Sequence, residues 1–163
     1  MAMLERWVKA YQPVVFRAAW LILRDRDAAE DVAQETFLRA WRAADRVYDE
    51  DGVKAWLYRI AVNTSLNHIR KRKRETAAMS RMEAAGAVPD RADARATASV
   101  VAEAVDKLPD RLRVTVICKY FLDLSELQIA QTLRIRPGTV KSRLFEARRL
   151  LAGDEELALA AEG

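Results

Sequence analysis

The chain has 163 residues, 32% of them charged, with a formal net charge of +4 and a pI of about 9.4. That length holds one domain or two small ones, and so modest a basicity makes the distribution of charge more informative than its sum. A single cysteine excludes an internal disulfide, and no apolar run is long enough to span a bilayer.

Ala, Leu and Arg are abundant, Gly and Pro are scarce, and strand-like alternation is absent, so an all-α fold is expected. Cys118 sits in the apolar run VTVICKYFL, where a buried small side chain is expected. The N-terminus carries no signal-peptide h-region, which predicts a cytoplasmic location.

In the first half, Leu4, Trp7, Val8, Tyr11, Val14, Val15, Ala18 and Ile22 recur at helical spacing. Pro13 interrupts them and predicts a kink or boundary near Gln12. A second helix is expected to open at Asp27, an Asp N-cap with Glu30 three residues on, and to run to about Ala44. Its apolar face is Ala29, Ala33, Phe37, Ala40 and Ala44. The opposite face carries Asp31, Glu35 and Leu38, flanked by Gln34 and Arg42. An acidic stripe with an outward Leu fits a docking site for a basic partner helix, and it equally fits a solvated face.

After a polar loop, Asp45 to Gly52, a third helix runs from about Val53 into a basic tract ending at Arg74. Gly52 to Arg74 holds seven Lys/Arg and no acid, whereas Asp25 to Glu35 holds five acids and one Arg. Such asymmetry suggests separate surfaces for separate partners. Trp56, Ile60, Asn63 and Asn67 form one stripe, and Tyr58, Val62, Leu66 and Ile69 another. Two amides beside a Trp are odd for a core face, because buried amides need partners. The five cations Arg70 to Arg74 cap the helix dipole or hold a nucleic-acid backbone. Aromatics, amides and cations together suit strand-separated DNA.

Thr76 to Ala96 reads as a linker, flexible or part-helical, rich in Ala with Gly86 and Pro89. From about Thr97, Val101, Val105 and Leu108 mark a helix that stops before Pro109, and the next carries Leu112, Val116, Ile117, Tyr120 and Phe121. Ser125 and Gln128 predict a capping box, and Pro137 a first-turn proline. The resulting pair of helices, SELQIAQTL and RPGTVKSRLFEARRLL, has the spacing of a helix-turn-helix.

On the last helix Val140, Leu144, Ala147 and Leu151 form the packing stripe, against Ile129 and Leu133. Gly138, Lys141, Ser142, Phe145 and Arg149 lie opposite, Arg143 and Arg148 flank the stripe, and Thr139 stands at the helix entry. Lys and Arg attract phosphates, and Ser, Lys or Arg reach base edges in a major groove. His68 is the only histidine, with no ligand-spaced partner, so no metal is expected. No phosphate-binding Gly loop or nucleophile elbow is present, so neither an enzyme nor a cofactor is expected.

The chain resembles the bacterial extracytoplasmic-function sigma factors, small relatives of sigma-70. AEDVAQETFLRAW looks like their polymerase-binding stretch in region 2, AWLYRIAVNTSLNHIRKRKR like the promoter-melting helix, and LPDRLRV with LSELQIAQTLRIRPGTVKSRLFEAR like region 4. The likeness covers nearly the whole chain apart from the linker and the tail after Ala152. It implies two helical domains, 1–75 and 97–152, joined by a linker over 76–96, with a C-terminal tail over 153–163. It implies that Asp31, Gln34, Glu35 and Leu38 grip the β′ clamp helices of core RNA polymerase. Arg59, Asn63, Asn67, Arg70, Lys71 and Arg72 would meet the opened minus-ten strand. Thr139, Lys141, Ser142, Arg143, Phe145 and Arg149 would read the minus-thirty-five element. Core RNA polymerase (β′ clamp and β flap), promoter DNA and an anti-sigma protein are the partners it implies. The chain departs from the family pattern in its loop VYDEDGVKA, with three acids, in Arg134 where Gly is common, in Gln128 where Glu is usual, and in Glu146 where a base is frequent. Arg134 therefore predicts either a strained positive φ or a different turn. The competing readings are a stand-alone helix-turn-helix regulator and a polymerase-binding adaptor that never reads DNA.

Overall fold

The computed structural model describes residues 2–46, 50–82 and 100–154. Helices α1 (Ala2–Leu23), α2 (Arg26–Arg42) and α3 (Glu50–Met82) form an N-terminal bundle, with a short 3-10 turn, Ala44–Arg46, after α2. The C-terminal unit contains α4 (Val100–Asp106), α5 (Asp110–Val116) with a π-helical continuation Ile117–Phe121, α6 (Glu126–Leu133) and α7 (Pro137–Ala152). Among the described residues no strand occurs.

Helix α1 runs through Pro13 with no boundary there, which removes one of the two alternatives. Pro13 and Lys9, whose carbonyl loses its partner, are both exposed, so water satisfies the freed group. The chain then reverses through Arg24, which adopts the left-handed region at φ 53°. The N-cap of α2 is Asp25, not Asp27: its carboxylate accepts from the Ala28 amide at 3.2 Å. Asp27 falls in the first turn instead, where its charge still suits the helix dipole.

Helix α3 continues eight residues past Arg74 to Met82, seven of them in the stretch expected to be linker. The added sequence, ETAAMSRM, contains good helix formers and neither Gly nor Pro. The remainder of the expected linker, 83–96, the loop residues 47–49 and the tail from 155 lie outside the described residues.

Val15, Ala18 and Ile22 of α1 pack with Val32 of α2 and Val53, Leu57 and Val62 of α3. Trp7 meets Trp56 edge to face at 5.9 Å, and Tyr11 meets Tyr58 at 6.4 Å. Leu112, Ile129, Val140 and Leu144 fill the C-terminal unit, and the buried cluster is continuous between the two units.

The π-helical turn moves Tyr120 off the core face. Leu122 N–H bonds Ile117 O at 3.0 Å, one residue wider than an α-turn, and Tyr120 is exposed rather than packed. Its hydroxyl accepts from Arg148 Nε at 2.7 Å. Val101 of α4 is likewise exposed. The capping box is present: Gln128 N–H donates to Ser125 Oγ at 3.1 Å, and Ser125 N–H to Gln128 Oε1 at 2.9 Å. Arg134 closes α6 at φ 56°, ψ 47°, which decides between the two alternatives for the positive φ, and Pro137 opens α7.

Candidate nucleic-acid interface

Helix α7 buries Val140, Leu144 and Ala147 and turns Lys141, Ser142, Phe145 and Arg149 to solvent. Phe145 is 69% exposed, a large ring with no packing role in the fold. An apolar side chain between cations can contact a thymine methyl while its neighbours hold phosphates. Ser142 Oγ currently donates to Gly138 O at 2.9 Å, so its hydroxyl must leave the helix backbone to reach a base. Thr139 and Arg143 are half-buried. Glu146 accepts two bonds from Arg111 of α5, at 3.0 and 3.2 Å, so the acid among these cations is neutralised within the unit.

On α3, Arg59 and Asn67 are exposed and Asn63 is half-buried. Arg70 Nη1 donates to Asn67 Oδ1 at 3.1 Å. Two expected members are already committed to the fold. Trp56 spends its ring on Trp7. Arg72 donates to Leu23 O at 3.2 Å and Asp25 Oδ2 at 2.9 Å, bracing the α1–α2 turn. Arg70 and Lys71 remain exposed. Buried Tyr58 has its hydroxyl pKa raised, by burial and then by Tyr11, and takes no part in this face.

On α2, Asp31, Gln34 and Leu38 point outward as the sequence pattern predicts. Glu35 is half-buried and pairs with Arg39 one turn on, with His68 Nε2 3.9 Å away. Trp41 extends this face: it is 54% exposed beside Leu38 at 52%. Its i+3 spacing from Leu38 places it there.

Among the described residues no cluster of His, Cys, Asp or Glu could hold a metal ion, and no helix is long and apolar enough to cross a membrane. Burial pushes the Cys118 thiol up to about 12.

Residues 7–75 match the family described as Sigma-70 region 2, and residues 99–151 that described as Sigma-70, region 4. The chain is 31% identical to the ECF RNA polymerase sigma factor SigW of Bacillus subtilis, over 88% of this chain and 84% of the relative. It is 32% identical to the RNA polymerase sigma-H factor of Pseudomonas aeruginosa, over 88% and 81%. In fold it is similar to the sigma factor RpoE of Bartonella quintana, solved with the anti-sigma factor NepR, with a TM-score of 0.74, 24% identity and coverage of 97% and 98%.

Proposed function

The chain belongs to the extracytoplasmic-function group of the sigma-70 family, the RNA polymerase sigma factors, and on that premise we propose which surface does which part of its work. The outer face of α2, with Asp31, Gln34, Glu35 and Leu38, docks on the basic β′ clamp helices of core polymerase, and the C-terminal unit meets the β flap. Helix α3 holds the opened minus-ten strand through Arg59, Asn63, Asn67, Arg70 and Lys71. Arg72 contributes by bracing α3 against the α1–α2 turn rather than by reaching DNA. Helix α7 enters the major groove of the minus-thirty-five element with Thr139, Lys141, Ser142, Arg143, Phe145 and Arg149. An anti-sigma protein is a fitting further partner, as NepR is for RpoE.

The observation that carries this reading is the outward Phe145 on a cationic helix whose other face is fully packed. Such a side chain has no work to do in the fold. Binding without chemistry suffices for the role, because core polymerase supplies the catalysis. The two units each contribute part of the promoter affinity, and their linkage raises the effective concentration for the second contact.

In vitro transcription with core polymerase on a pool of randomised promoters tests the assignment. Initiation should concentrate on sites sharing two spaced elements, and Phe145→Ala should change the preferred upstream element. A preference that the substitution leaves untouched would remove Phe145, and with it the α7 face, from base reading.

A further inference from the structure

Arg148 is the cation of α7 to which the assignment above gives no part. It stands two turns after Lys141, within about 20° of the same stripe and about 10 Å along the helix, with Phe145 between them. Arg148 is exposed, yet it is held. Its Nε donates to the Tyr120 hydroxyl at 2.7 Å, and its Cζ lies 5.8 Å from the centre of the Tyr120 ring. Tyr120 belongs to a different element, the π-helical turn Ile117–Phe121, and is 57% exposed.

The partner is neutral, and that decides what the tie leaves behind. Arg39, Arg72 and Arg111 each pair with a carboxylate, so their charge is compensated within the chain. A phenol fixes the Arg148 guanidinium without cancelling its charge. With Nε taken, the free edge is Nη1 and Nη2, and neither has a hydrogen-bond partner among the described residues. The Tyr120 hydroxyl accepts from Arg148 and keeps its own proton, which donates to no described residue. Two adjoining donor groups, one of them charged, therefore face solvent at the edge of α7.

A guanidinium fork matches two oxygens of a phosphate, and a tyrosine O–H is a common donor to the DNA backbone. Holding Arg148 at Nε before DNA arrives also lowers the cost of ordering a long side chain on binding. A role in the fold alone fits poorly, because a hydrogen bond between two exposed side chains competes with water and adds little.

We propose that Tyr120 and Arg148 form a clamp for one DNA backbone phosphate at the flank of α7. Arg148 supplies the charge, and Tyr120 holds it in place and donates its own O–H. This rests on the assignment of α7 given above and adds to it a contact from outside that helix. The clamp carries no sequence information, because every nucleotide presents the same phosphate.

The test is filter binding across a salt series, with holoenzyme assembled from the full-length chain and promoters selected by the native chain. Arg148→Gln should weaken promoter binding roughly tenfold and lower the salt slope by about 0.9. The preferred upstream sequence in the randomised pool should stay as it was. Arg148→Lys keeps the charge and the stem, so it should keep the slope and still bind more weakly, since an ammonium lacks the fork. Tyr120→Phe should weaken binding about threefold at the native slope, and its effect should shrink in the Arg148→Gln background. A native slope for Arg148→Gln beside a reduced one for Lys141→Gln would sink the clamp and leave the α7 assignment standing. If neither variant changes the slope, α7 does not meet DNA and both readings fail. Additive losses in the double variant, or a changed upstream preference, would show that Tyr120 does not act through Arg148 on a phosphate. Weaker assembly with core polymerase at a native slope would put an acidic protein surface, not DNA, on the pair.

Discussion

Arg111 of α5 grips both oxygens of Glu146 on α7, at 3.0 and 3.2 Å. Both side chains are about half exposed, 50% and 41%. An ion pair that wet contributes at most about 1 kcal/mol, so its main effect is on charge, not on stability. Glu146→Gln removes the acid and frees a cation beside the DNA-facing helix. The expected outcome is a melting temperature within about 4 °C of the parent and a promoter-binding salt slope steeper by about 0.9. Filter binding across a salt series measures the slope. An unchanged slope would place Arg111 away from the DNA backbone.

Leu38 and Trp41 project from α2 one turn apart, beside Asp31 and Gln34. Exposed residues contribute little to the fold, whereas a central Trp in an interface commonly contributes about 2 kcal/mol or more. Trp41→Ala should weaken binding to core polymerase roughly 30-fold and leave thermal unfolding nearly unmoved. Asp31→Lys should weaken it further while preserving helix content. Calorimetric titration of core polymerase with each variant decides the matter, and native affinity in both would show this face to be merely solvated.

The helical register of α2, α6 and α7 was legible because each has one polar and one apolar face. Phe37 and Ala33 inward against Leu38 and Asp31 outward is a pattern that periodicity alone reveals. Helix α3 was harder. Its side toward the C-terminal unit is partly covered by another element, so half-buried Asn63 and Leu66 share a stripe that fits neither a core nor a plain surface. Pro13 ends no helix because a proline on an exposed helix face loses a bond that water can replace. The π-helical turn over Ile117–Phe121 was not legible, because nothing in ICKYF announces the one-residue shift it introduces. The ties of Arg113 to Ile22 and Arg59 to Gln131 span 91 and 72 residues, a separation at which local pattern carries no signal.

Arg134 holds a left-handed conformation, φ 56°, that costs a side-chain-bearing residue about 1–2 kcal/mol. Arg134→Gly removes that strain and gives back up to about 1 kcal/mol through the greater entropy of the unfolded chain. A small net gain in thermal stability is expected, with α6 and α7 keeping their angle. A lower melting temperature would mean that the Arg134 side chain makes a contact worth more than the strain.

Cys118 is buried, and its thiol is pushed up to about 12 by that burial. Only thiolate reacts with iodoacetamide, so labelling of the native chain at neutral pH should be slow and should accelerate in denaturant. Rapid labelling without denaturant would show that the π-helical segment opens on its own.

Asp110 is the carboxylate that holds Lys73 of α3 on one side and Arg113 on the other. Burial opposes its ionisation, but the Lys73 hydrogen bond and the Arg113 charge outweigh burial and hold its pKa below the ordinary 3.8. Arg70, Arg111 and Arg143 line the cleft beside it, and all remain charged in acid. Because the native pKa is depressed, the stabilisation is whole above about pH 4. It is lost as pH falls through the lower native value, where the carboxyl takes up a proton and releases both cations. The distance between fluorophores on α2 and α7 should therefore lengthen on acidification below that point. Acid acts on many groups at once, so Asp110→Asn isolates the share of this residue. That variant should be more open at neutral pH and should change less in acid. Overlaid titration curves for parent and variant would mean that Asp110 contributes nothing to holding the two units together and that Arg113 holds Ile22 without its help.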